Sequence, residues 1–554
     1  MNSVLNEESK VNSTLNEESK VNSTLNEESK VNSTLNEESK VNSTLNEEIK
    51  VNSVLNEESK IKTVEYVPQN GSNVEYGFRS ACSQLLASTA LYCVFIISGM
   101  SINMPTIVVG VLNQKVASNQ TILQSPDLIL SDEQSSWLGS FVFLFRSVGS
   151  IVGGFITLYV GRARLMVVMG IPLCVGWVSL YLAQSVPFIM LGTVCIGLSI
   201  GCFEAPILAY IGEISEPRLR GSLTSFVVTG VLLGAAIIYF IYALTDWRST
   251  MLISATMPVL TTVMLLFIPE SPTWLVSKGR LEDAERSLRW VRGWSEKPKV
   301  RVEFERLVQQ THTATLNEAN NTQSQGQFTY LRRPNFQRPF IMVLILFIIT
   351  LIPSLLPMRP FYVEIFQTYN LPVRAEWFLV FINLLNILAS FMGTFTVHRF
   401  GKRGILLWSL AINTVSTLLL GFCAMNLHWS GWVPLTLFCI CFWVSNYGMM
   451  SLACMYIVEV YPLDVRGIAS GLSTASGAII VFISTKTYIN LVSWFGLHGT
   501  FFIYTSISFL GIIYVHFCVP ETEGRSLEEI MQFFSDNNRA QDFNKTKTTK
   551  NQNT

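Results

Sequence analysis

Long runs of apolar residues, separated by short polar stretches, make up most of the chain from Ala81 onward. Each run is roughly 20 residues long, the length that an α-helix needs to cross the hydrocarbon core of a bilayer. Twelve such segments are recognised, at 81–112, 135–159, 165–184, 188–212, 222–243, 249–268, 338–358, 375–397, 404–425, 432–458, 467–490 and 499–519. The pattern predicts an all-α membrane protein with twelve transmembrane helices.

The polar segments divide this chain into further parts. Residues 1–60 are six near-identical decapeptides with little apolar content, so we predict a disordered tail whose possible cytoplasmic partner is unknown. Between the apolar halves, charged and apolar residues alternate from Glu282 to Arg292, which predicts a small cytoplasmic helical insert. The predicted domains are a cytoplasmic tail, a six-helix half, a helical linker, a second six-helix half and a second cytoplasmic tail, at 1–80, 81–268, 269–337, 338–519 and 520–554.

Composition agrees with a membrane protein. Hydrophobic residues make up 49% of the chain and charged residues 14%, whereas a soluble chain carries about 25% charged residues. The net charge is zero, which argues against a nucleic-acid partner. The ten cysteines lie in or beside the apolar runs, so we expect packed thiols rather than disulfides. We find no nucleotide-binding loop, catalytic triad pattern or metal-ligand cluster in the sequence, and we therefore expect neither an enzyme nor a cofactor or metal.

Loop charges predict the orientation of the chain in the membrane. Arginine and lysine cluster in the loops after segments two, four, eight and ten and in the 269–337 linker, whereas the opposite loops hold few. The positive-inside rule then places both termini in the cytoplasm. Asn119, in an N-Q-T sequon of the first external loop, is the expected glycosylation site. Four sequons of the repeats would face the cytoplasm and remain unmodified, at Asn12, Asn22, Asn32 and Asn42.

One motif, Y-x-x-E-x6-R-G, occurs at the end of two apolar runs, at Tyr210–Gly221 and at Tyr456–Gly467. A glutamate at the end of a membrane helix is costly unless it finds a partner. An arginine seven residues later, past a helix-ending proline, could fold back to supply that partner. Two copies in two apolar halves indicate a duplicated membrane protein.

Further motifs accompany these two copies. Gly197–Gly201 precedes the first copy, and Ser136–Ser140 opens the second segment. Pro269–Leu275 reads P-E-S-P-T-W-L, and Pro520–Arg525 reads P-E-T-E-G-R. Together these motifs resemble the sugar porter family of the major facilitator superfamily, and the insect facilitated trehalose and sugar transporters within it. The resemblance implies two six-helix halves that rock around a central site for a small solute, in a lipid bilayer and without a bound nucleotide.

The resemblance also implies gating charges at the cytoplasmic ends of the helices. In the family such charges form a network that locks the halves together when the site faces outward. The carboxylates of Glu213 and Glu459 would accept hydrogen bonds from arginines at neighbouring helix ends, and breaking these pairs would let the halves part. The predicted gating residues are Glu213, Arg220, Glu459, Arg466, Arg162, Arg164, Arg399 and Arg403.

The chain departs from the family pattern at several positions. Leu158–Tyr159 replaces an Asp-Arg pair, Thr193 replaces an arginine, and His398 replaces an aspartate, which could add a pH-sensitive element. The sugar-binding motifs of the seventh and tenth helices are replaced by Leu351–Leu355 and Gly448–Leu452. Sugar recognition needs several amide and hydroxyl partners and an aromatic face. These departures weaken the prediction of a sugar while the prediction of the fold stands.

Several polar residues remain within the apolar segments. The substrate-binding candidates are Asn383, Asn386, Trp443, Asn446, Tyr447, Tyr362 and Thr229. Amides could hydrogen-bond a polyol, although asparagines in membrane helices also join neighbouring helices. Arg146 and Glu204 are charges inside segments two and four, where neither is tolerated alone. The two either pair, line a wet cavity that favours a charged solute, or reach the interface separately.

The combined pattern favours a transmembrane carrier of a small hydrophilic solute that works by alternating access in the plasma membrane. A sugar such as trehalose or glucose is the expected solute from the resemblance. The altered substrate motifs leave two alternatives open: a transporter-like sensor or scaffold that acts through its tail, and a carrier of a charged solute. The retained gating motifs favour transport, since a protein that does not transport has no need of gates.

Overall fold

The computed structural model describes residues 78–113, 128–214, 217–324, 334–425, 429–461, 466–525, 529–530 and 533–534. The decapeptide repeats and the expected glycosylation site, Asn119, lie outside these residues. The described part of the chain is almost entirely helical, as the apolar pattern predicts. It also contains an isolated β-bridge between Asn113 and Leu130.

Six helices form the first half. They are α1 (Phe78–Leu112), α2 (Asp132–Val160), α3 (Arg162–Tyr181), α4 (Val186–Ile214), α5 (Pro217–Leu244) and α6 (Trp247–Leu266). Local capping begins some of them: Ser131 and Gln134 form a capping box ahead of α2, and the Asp246 carboxylate accepts from the Ser249 N–H at 3.1 Å ahead of α6. Gly161 separates α2 from α3 with a φ of 106°, a conformation that favours glycine.

Three shorter helices follow the first half. They are α7 (Pro272–Ser277), α8 (Leu281–Val291) and α9 (Lys297–Ser324). Trp274 of α7 and Ala284 of α8 belong to a separate small core against which Phe304 of α9 packs. The buried Arg292 pairs with Glu303 at 2.6 Å, which ties the end of α8 to α9. The helical insert that the charge pattern predicts is therefore present.

The second half contains interrupted helices. Its elements are α10 (Pro334–Leu351), a 3-10 helix (Leu356–Phe361), α11 (Tyr362–Thr368), α12 (Ala375–Phe400), α13 (Lys402–Met425), α14 (Trp432–Val444), a π-helical turn (Ser445–Met449), α15 (Met450–Glu459) and α16 (Arg466–Cys518). Gly496, with a φ of 72°, kinks α16 and divides it into two helices. The interruptions after α10 and α14 each lie within a single path across the membrane.

Ten helical stretches in the described residues are long and apolar enough to cross a membrane. One of them, Ala469–Cys518, is 50 residues long and divides at Gly496, and α5 adds the shorter apolar stretch Val228–Leu244. The helices are thus consistent with twelve crossings in two groups of six. Large apolar side chains such as Phe155 and Trp408 are exposed on the outer faces, which suits contact with lipid.

The two halves contact each other at one end of the bundle and also at mid-depth, where Ser147 Oγ of α2 donates to the Ala475 carbonyl of α16 at 3.4 Å. We call the end next to α7–α9 the linker side and the opposite end the far side. Near the far side, Thr106 Oγ1 donates to the Arg359 carbonyl at 3.0 Å and Ser136 Oγ donates to the Lys486 carbonyl at 2.9 Å. The Lys486 ammonium lies 4.1 Å from the ring centroid of Trp137. These contacts close the halves against each other on the far side.

Glycines allow the closest helix contacts within the first half. A Cβ atom on Gly234 of α5 would overlap the Ile96 carbonyl of α1, and a Cβ atom on Gly99 of α1 would overlap the Val231 carbonyl of α5. The two helices therefore pack backbone to backbone, as small residues permit in membrane proteins. The helix walls around the centre of the bundle depend on this close approach.

We predict that Gly234→Ala destabilises the protein by roughly 1–3 kcal/mol, because α1 and α5 must separate to admit the new methyl group. The measurement is the apparent melting temperature of the purified protein in detergent. Gly471→Ala in α16 is the matched control, since a Cβ atom there meets nothing within 4 Å. The control should melt at the same temperature or slightly higher, and an equal loss in both variants would contradict the packing argument.

Candidate functional site

A polar cavity lies between the two halves, near their far-side contacts. Its volume in this state is about 30 Å³, which is room for about two water molecules, so a larger solute requires the cavity to widen. Both halves contribute to its wall. The lining residues are Asn103, Tyr239, Ser354, Leu356, Arg359, Tyr362, Leu379, Ile382, Asn383, Asn386, Phe442, Ser445, Asn446 and Met450.

Helix α12 presents two amides to this cavity. Asn383 and Asn386 lie about one turn apart on the buried face of the helix, and both line the wall. Asn383 donates from Nδ2 to the Leu379 carbonyl at 2.8 Å, which leaves its other amide atom to the cavity. Asn386 is 6% exposed, and its Oδ1 has no hydrogen-bond partner in the described structure. A buried acceptor without a partner is costly unless a ligand or water satisfies it.

Two interruptions in the helices shape the rest of the second-half wall. After α10 the chain passes through Leu355 at a φ of 64° and enters the 3-10 helix that carries Arg359. The Tyr362 hydroxyl donates to the Leu355 carbonyl at 2.9 Å and so fixes this break. The π-helical turn Ser445–Met449 holds the lining residue Asn446. Turns of this kind are frequent at functional sites because they displace side chains from the regular helix register.

The first half contributes two lining residues that are absent from the sequence-based candidates. Asn103 of α1 donates from Nδ2 to the Gly99 carbonyl at 2.7 Å, and its Oδ1 accepts from the Tyr239 hydroxyl of α5 at 3.1 Å. Both side chains are buried. An amide and a hydroxyl inside apolar runs were available as signals in the sequence. The hydrogen bond between them depends on the close packing of α1 and α5.

The cavity includes some of the predicted substrate-binding residues. Four of the seven line it, namely Asn383, Asn386, Asn446 and Tyr362. The described wall does not include Trp443, Tyr447 or Thr229, which are half-buried elsewhere on their helices. Spacing along a helix predicts which residues share a face, but it does not identify which face meets the cavity. The binding role of the seven residues stays a prediction.

Arg146 and Glu204 form an ion pair between α2 and α4. Their side chains are 27% and 18% exposed, although both residues lie well inside spanning helices. Cys454 of α15, in the second half, lies within electrostatic range of this pair. Cys454 is also exposed. Partial exposure from both halves indicates a space between them that reaches toward the linker side. Of the alternatives from the sequence, the structure shows the pair, and a wet cavity around it stays a prediction.

On the linker side, each half contains the same helix cap. Glu270 accepts from the backbone N–H of Arg162 at 2.8 Å, at the beginning of α3. Glu521 accepts from the backbone N–H groups of Lys402 and Arg403, both at 3.1 Å, at the beginning of α13. A carboxylate at a helix N-terminus satisfies unpaired N–H groups and interacts favourably with the helix dipole. The P-E-S-P and P-E-T motifs thus supply the caps of the third and ninth crossings.

The glutamate of the first Y-x-x-E motif joins this cap. Glu213 accepts from Arg162 Nη2 at 3.1 Å and from the Ser271 hydroxyl. The tyrosine of the same motif contacts the start of the linker, because the Tyr210 hydroxyl donates to the Pro269 carbonyl at 2.7 Å. We call these residues the first charge cluster. Every member belongs to the first half or to the start of the linker.

The second copy makes an equivalent set of contacts. Glu459 accepts from Lys402 Nζ at 2.6 Å and from Thr522 Oγ1 at 2.7 Å. The Tyr456 hydroxyl donates to the Pro520 carbonyl at 3.2 Å. We call these residues the second charge cluster. The repeated geometry matches the duplication that the two sequence motifs indicate.

The partner of Glu459 differs from the arginines that the resemblance implies. Lys402 occupies that position, whereas Arg403 donates from Nε to the Val515 carbonyl at 3.3 Å and Arg399 is exposed at the end of α12. The physical reason is the helix cap. Gly401 precedes α13, so Lys402 is the first residue of that helix, and its side chain turns back toward α15. A lysine there supplies the same charge as Arg162 in the first half.

The remaining predicted gating residues are described only in part. Arg164 donates its backbone N–H to Glu270 at 3.2 Å. The side chains of Arg220 and Arg466 lie outside the described part of the structure. Within the described residues, both charge clusters bind elements of their own half. Their role as a lock between halves stays a prediction.

The second charge cluster has one addition. Glu523 pairs with Lys402 at 2.8 Å and with His398 Nδ1 at 2.9 Å. Burial acts to raise the pKa of Glu523, but the hydrogen bonds and charges of Lys402 and His398 outweigh it and hold that pKa below its ordinary value. His398 therefore stands where it can add to the network when it is protonated.

Two bundles of membrane helices around a polar cavity, closed together on one side, define a membrane carrier of the major facilitator type. A family model described as sugar (and other) transporter matches residues 83–534. The match covers most of the chain, and the protein belongs to this family.

Sequence relatives support the same assignment. A facilitated trehalose transporter of Bombyx mori is 28% identical over 483 residues, which cover 84% of this chain and 91% of the relative. A facilitated trehalose transporter of Apis mellifera ligustica is 28% identical over 412 residues, covering 73% and 80%. The motifs quoted from the sequence are therefore part of a similarity that extends over most of both chains.

Solved structures share the fold. The xylose transporter of E. coli in its inward-open conformation is 17% identical, with a TM-score of 0.62 over 82% of this chain and 99% of that chain. A D-xylose–proton symporter is 15% identical, with a TM-score of 0.61 over 80% and 99%. At these identities the similarity shows the fold alone.

We predict that Glu523→Gln lowers the apparent melting temperature near pH 7 and that the loss disappears in acid. A carboxylate whose pKa is lowered in the folded protein stabilises it above the unfolded pKa of about 4.3, and this contribution is lost as the pH falls through the lower folded value. The expected loss at pH 7 is about 1 kcal/mol or less, as for partly exposed ion pairs. Melting curves of both proteins from pH 7 down to pH 3 provide the measurement.

Glu282→Gln is the control for this series, because Glu282 is 93% exposed and lies 3.8 Å from Arg286. It should change the melting temperature little at any pH. A loss in Glu523→Gln that stays constant down to pH 3 would show that the carboxylate charge does not stabilise the second charge cluster.

Proposed function

We propose that this chain carries a small hydrophilic solute, most simply a sugar such as trehalose or glucose, across the plasma membrane by alternating access. The observation that carries this proposal is the polar cavity between the halves with its unpaired acceptor, Asn386 Oδ1. Membership of the sugar (and other) transporter family supports the solute class. The trehalose transporters among its relatives support trehalose as the first solute to test.

The proposed cycle uses the far-side contacts and the charge clusters in turn. In the state described here, contacts such as Ser136 to Lys486 and Thr106 to Arg359 close the far side. A solute bound in the cavity would be exchanged through the space next to Arg146 and Glu204. Rocking of the halves would then break the far-side contacts and bring the linker-side helix ends together. Glu213 and Glu459 are proposed to gate that second closure.

Orientation and location complete the proposal. With the linker side in the cytoplasm, both termini are cytoplasmic and the far side is external. Asn119 would then carry a glycan on the external loop. The domain limits from the sequence remain our proposal, as does a cytoplasmic partner for the decapeptide repeats. Catalytic chemistry is not part of this function, because a carrier binds and releases its solute unchanged.

The altered substrate motifs leave a second hypothesis open, namely that the protein is a transporter-like sensor or scaffold. Family membership and the cavity do not favour it. The cavity retains amide and hydroxyl groups for a polyol, with Asn383, Asn386, Asn446 and Ser445 on one side and Asn103 on the other. The aromatic rings of Tyr362 and Phe442 supply apolar faces in the same wall.

We predict that Asn386→Ala lowers uptake of the transported sugar about tenfold or more, because one hydrogen bond to a buried polar group is worth roughly this factor. The measurement is uptake of labelled trehalose and glucose by cells that express the protein, normalised to surface protein. Ser254→Ala is the control, since Ser254 is a buried residue without a hydroxyl partner and lies outside the cavity wall.

Saturable uptake that survives in Asn386→Ala would show that the solute does not bind in this cavity. No uptake of either sugar by well-expressed wild-type protein would contradict sugar transport and favour the sensor. Equal losses in Asn386→Ala and Ser254→Ala would assign the effect to folding, and a thermal melt of both variants separates that case.

A further inference from the structure

One cation in the cavity wall is not used by the carrier mechanism described so far. Arg359 lies on the 3-10 helix between α10 and α11, at the far-side end of the cavity. It is half-buried, and its side chain lies beside Tyr362 of its own half and within electrostatic range of Tyr239 of α5. The guanidinium is therefore close to lining groups of both halves.

The charge of Arg359 has no counter-ion in the described structure. Among the described residues, no carboxylate oxygen lies within 4.0 Å of its nitrogen atoms. Arg146, inside α2, pairs with Glu204, and the far-side Arg374 pairs with Glu376 at 3.4 Å. An arginine at membrane depth without such a pair is costly and is retained where it acts on a solute or ion.

The groups around Arg359 suit a particular chemistry. A guanidinium presents several N–H donors in a plane and binds carboxylates through two parallel hydrogen bonds. Asn386 Oδ1 is a buried acceptor without a partner, and it requires a donor such as a hydroxyl. Ser354, Ser445 and Asn446 add further polar atoms to the same wall. One cation and several hydroxyl-binding groups in a single cavity complement an anion that also carries hydroxyl groups.

We propose that the cavity accepts a sugar acid, a hydroxylated carboxylate of monosaccharide size, whose carboxylate binds to Arg359 while its hydroxyl groups bind to Asn386 and the other polar lining residues. This inference rests on the proposed function and narrows the class of solute within it. Arg359 also accepts from Thr106 through its backbone carbonyl, at 3.0 Å. The carboxylate of the solute would thus sit directly against the contacts that close the far side.

The test measures binding to the purified full-length protein in detergent, through the rise in apparent melting temperature with added solute. Three probes are used at equal concentrations: glucuronate, its neutral methyl ester and glucose. For the wild-type protein we expect glucuronate to bind at least tenfold more tightly than the methyl ester. Such a ratio isolates the carboxylate charge, because the two probes share ring and hydroxyl groups.

The variants separate a solute contact from a structural role. Arg359→Gln should abolish the preference for glucuronate while glucose binding stays within about twofold of the wild type. Arg359→Lys, which keeps the charge, should restore much of the preference. Arg374→Gln removes an exposed arginine from the same side of the protein, 73% exposed, and should leave all three affinities unchanged.

Each result decides between the proposals. If glucose and the methyl ester bind as tightly as glucuronate, the sugar-acid inference is wrong and the sugar carrier stands. If Arg359→Gln weakens the binding of all three probes equally, Arg359 maintains the shape of the cavity and does not bind a carboxylate. This result also overturns the inference. If no probe binds to folded wild-type protein, the proposed function itself fails, together with the inference that rests on it.

Discussion

The cost of placing polar groups inside a bilayer is the constraint on which this structure depends. Water is absent there, so each buried polar group must find its partner within the protein or in a solute. Most do: Glu213 and Glu459 have cationic and hydroxyl partners, and Arg146 has Glu204. Among the described residues, Asn386 Oδ1 is a buried acceptor without a partner and the guanidinium of Arg359 has no carboxylate partner, and both residues line the cavity between the halves. Other buried groups without a partner, such as the Ser254 hydroxyl, lie outside it. A solute bound in the cavity would supply partners to both Asn386 and Arg359.

The same constraint explains why both halves have the same glutamate helix cap on the linker side. A helix that starts at the membrane surface leaves N–H groups without partners. In each half a glutamate that follows the sixth crossing reaches back to cap such a helix, as Glu270 and Glu521 do. The cap brings a cation, Arg162 or Lys402, onto the glutamate of the Y-x-x-E motif. Each six-helix half is thereby fastened as a unit, which is what rigid-body rocking of two halves requires.

Much of the fold follows from the sequence, because apolar length and motif repetition are local signals. The described helices fall at the predicted runs and the helical insert lies between them. The breaks inside crossings were less accessible. Pro353, Pro357 and Gly448 lie at or beside them, but these residues do not by themselves predict the positive φ of Leu355 or a π-helical turn at Ser445–Met449. Likewise Lys402 as the partner of Glu459 depends on how Gly401 turns the chain. For the cavity, composition identified polar residues such as Asn386 but could not give the helix rotation that excludes Trp443 and Tyr447, nor the contact between Asn103 and Tyr239.

The central claim is that the two halves rock between a state closed on the far side and a state closed on the linker side. Distances between paired spin labels test this most directly, in protein whose native cysteines have been replaced. One pair, at Leu182 and Trp429, reports the far side, and a second pair, at Tyr159 and Phe517, reports the linker side; all four side chains are exposed. With trehalose, glucose or glucuronate present, the account predicts a second population in which the far-side distance lengthens while the linker-side distance shortens. A single unchanged distance for both pairs, with and without each solute, would contradict it.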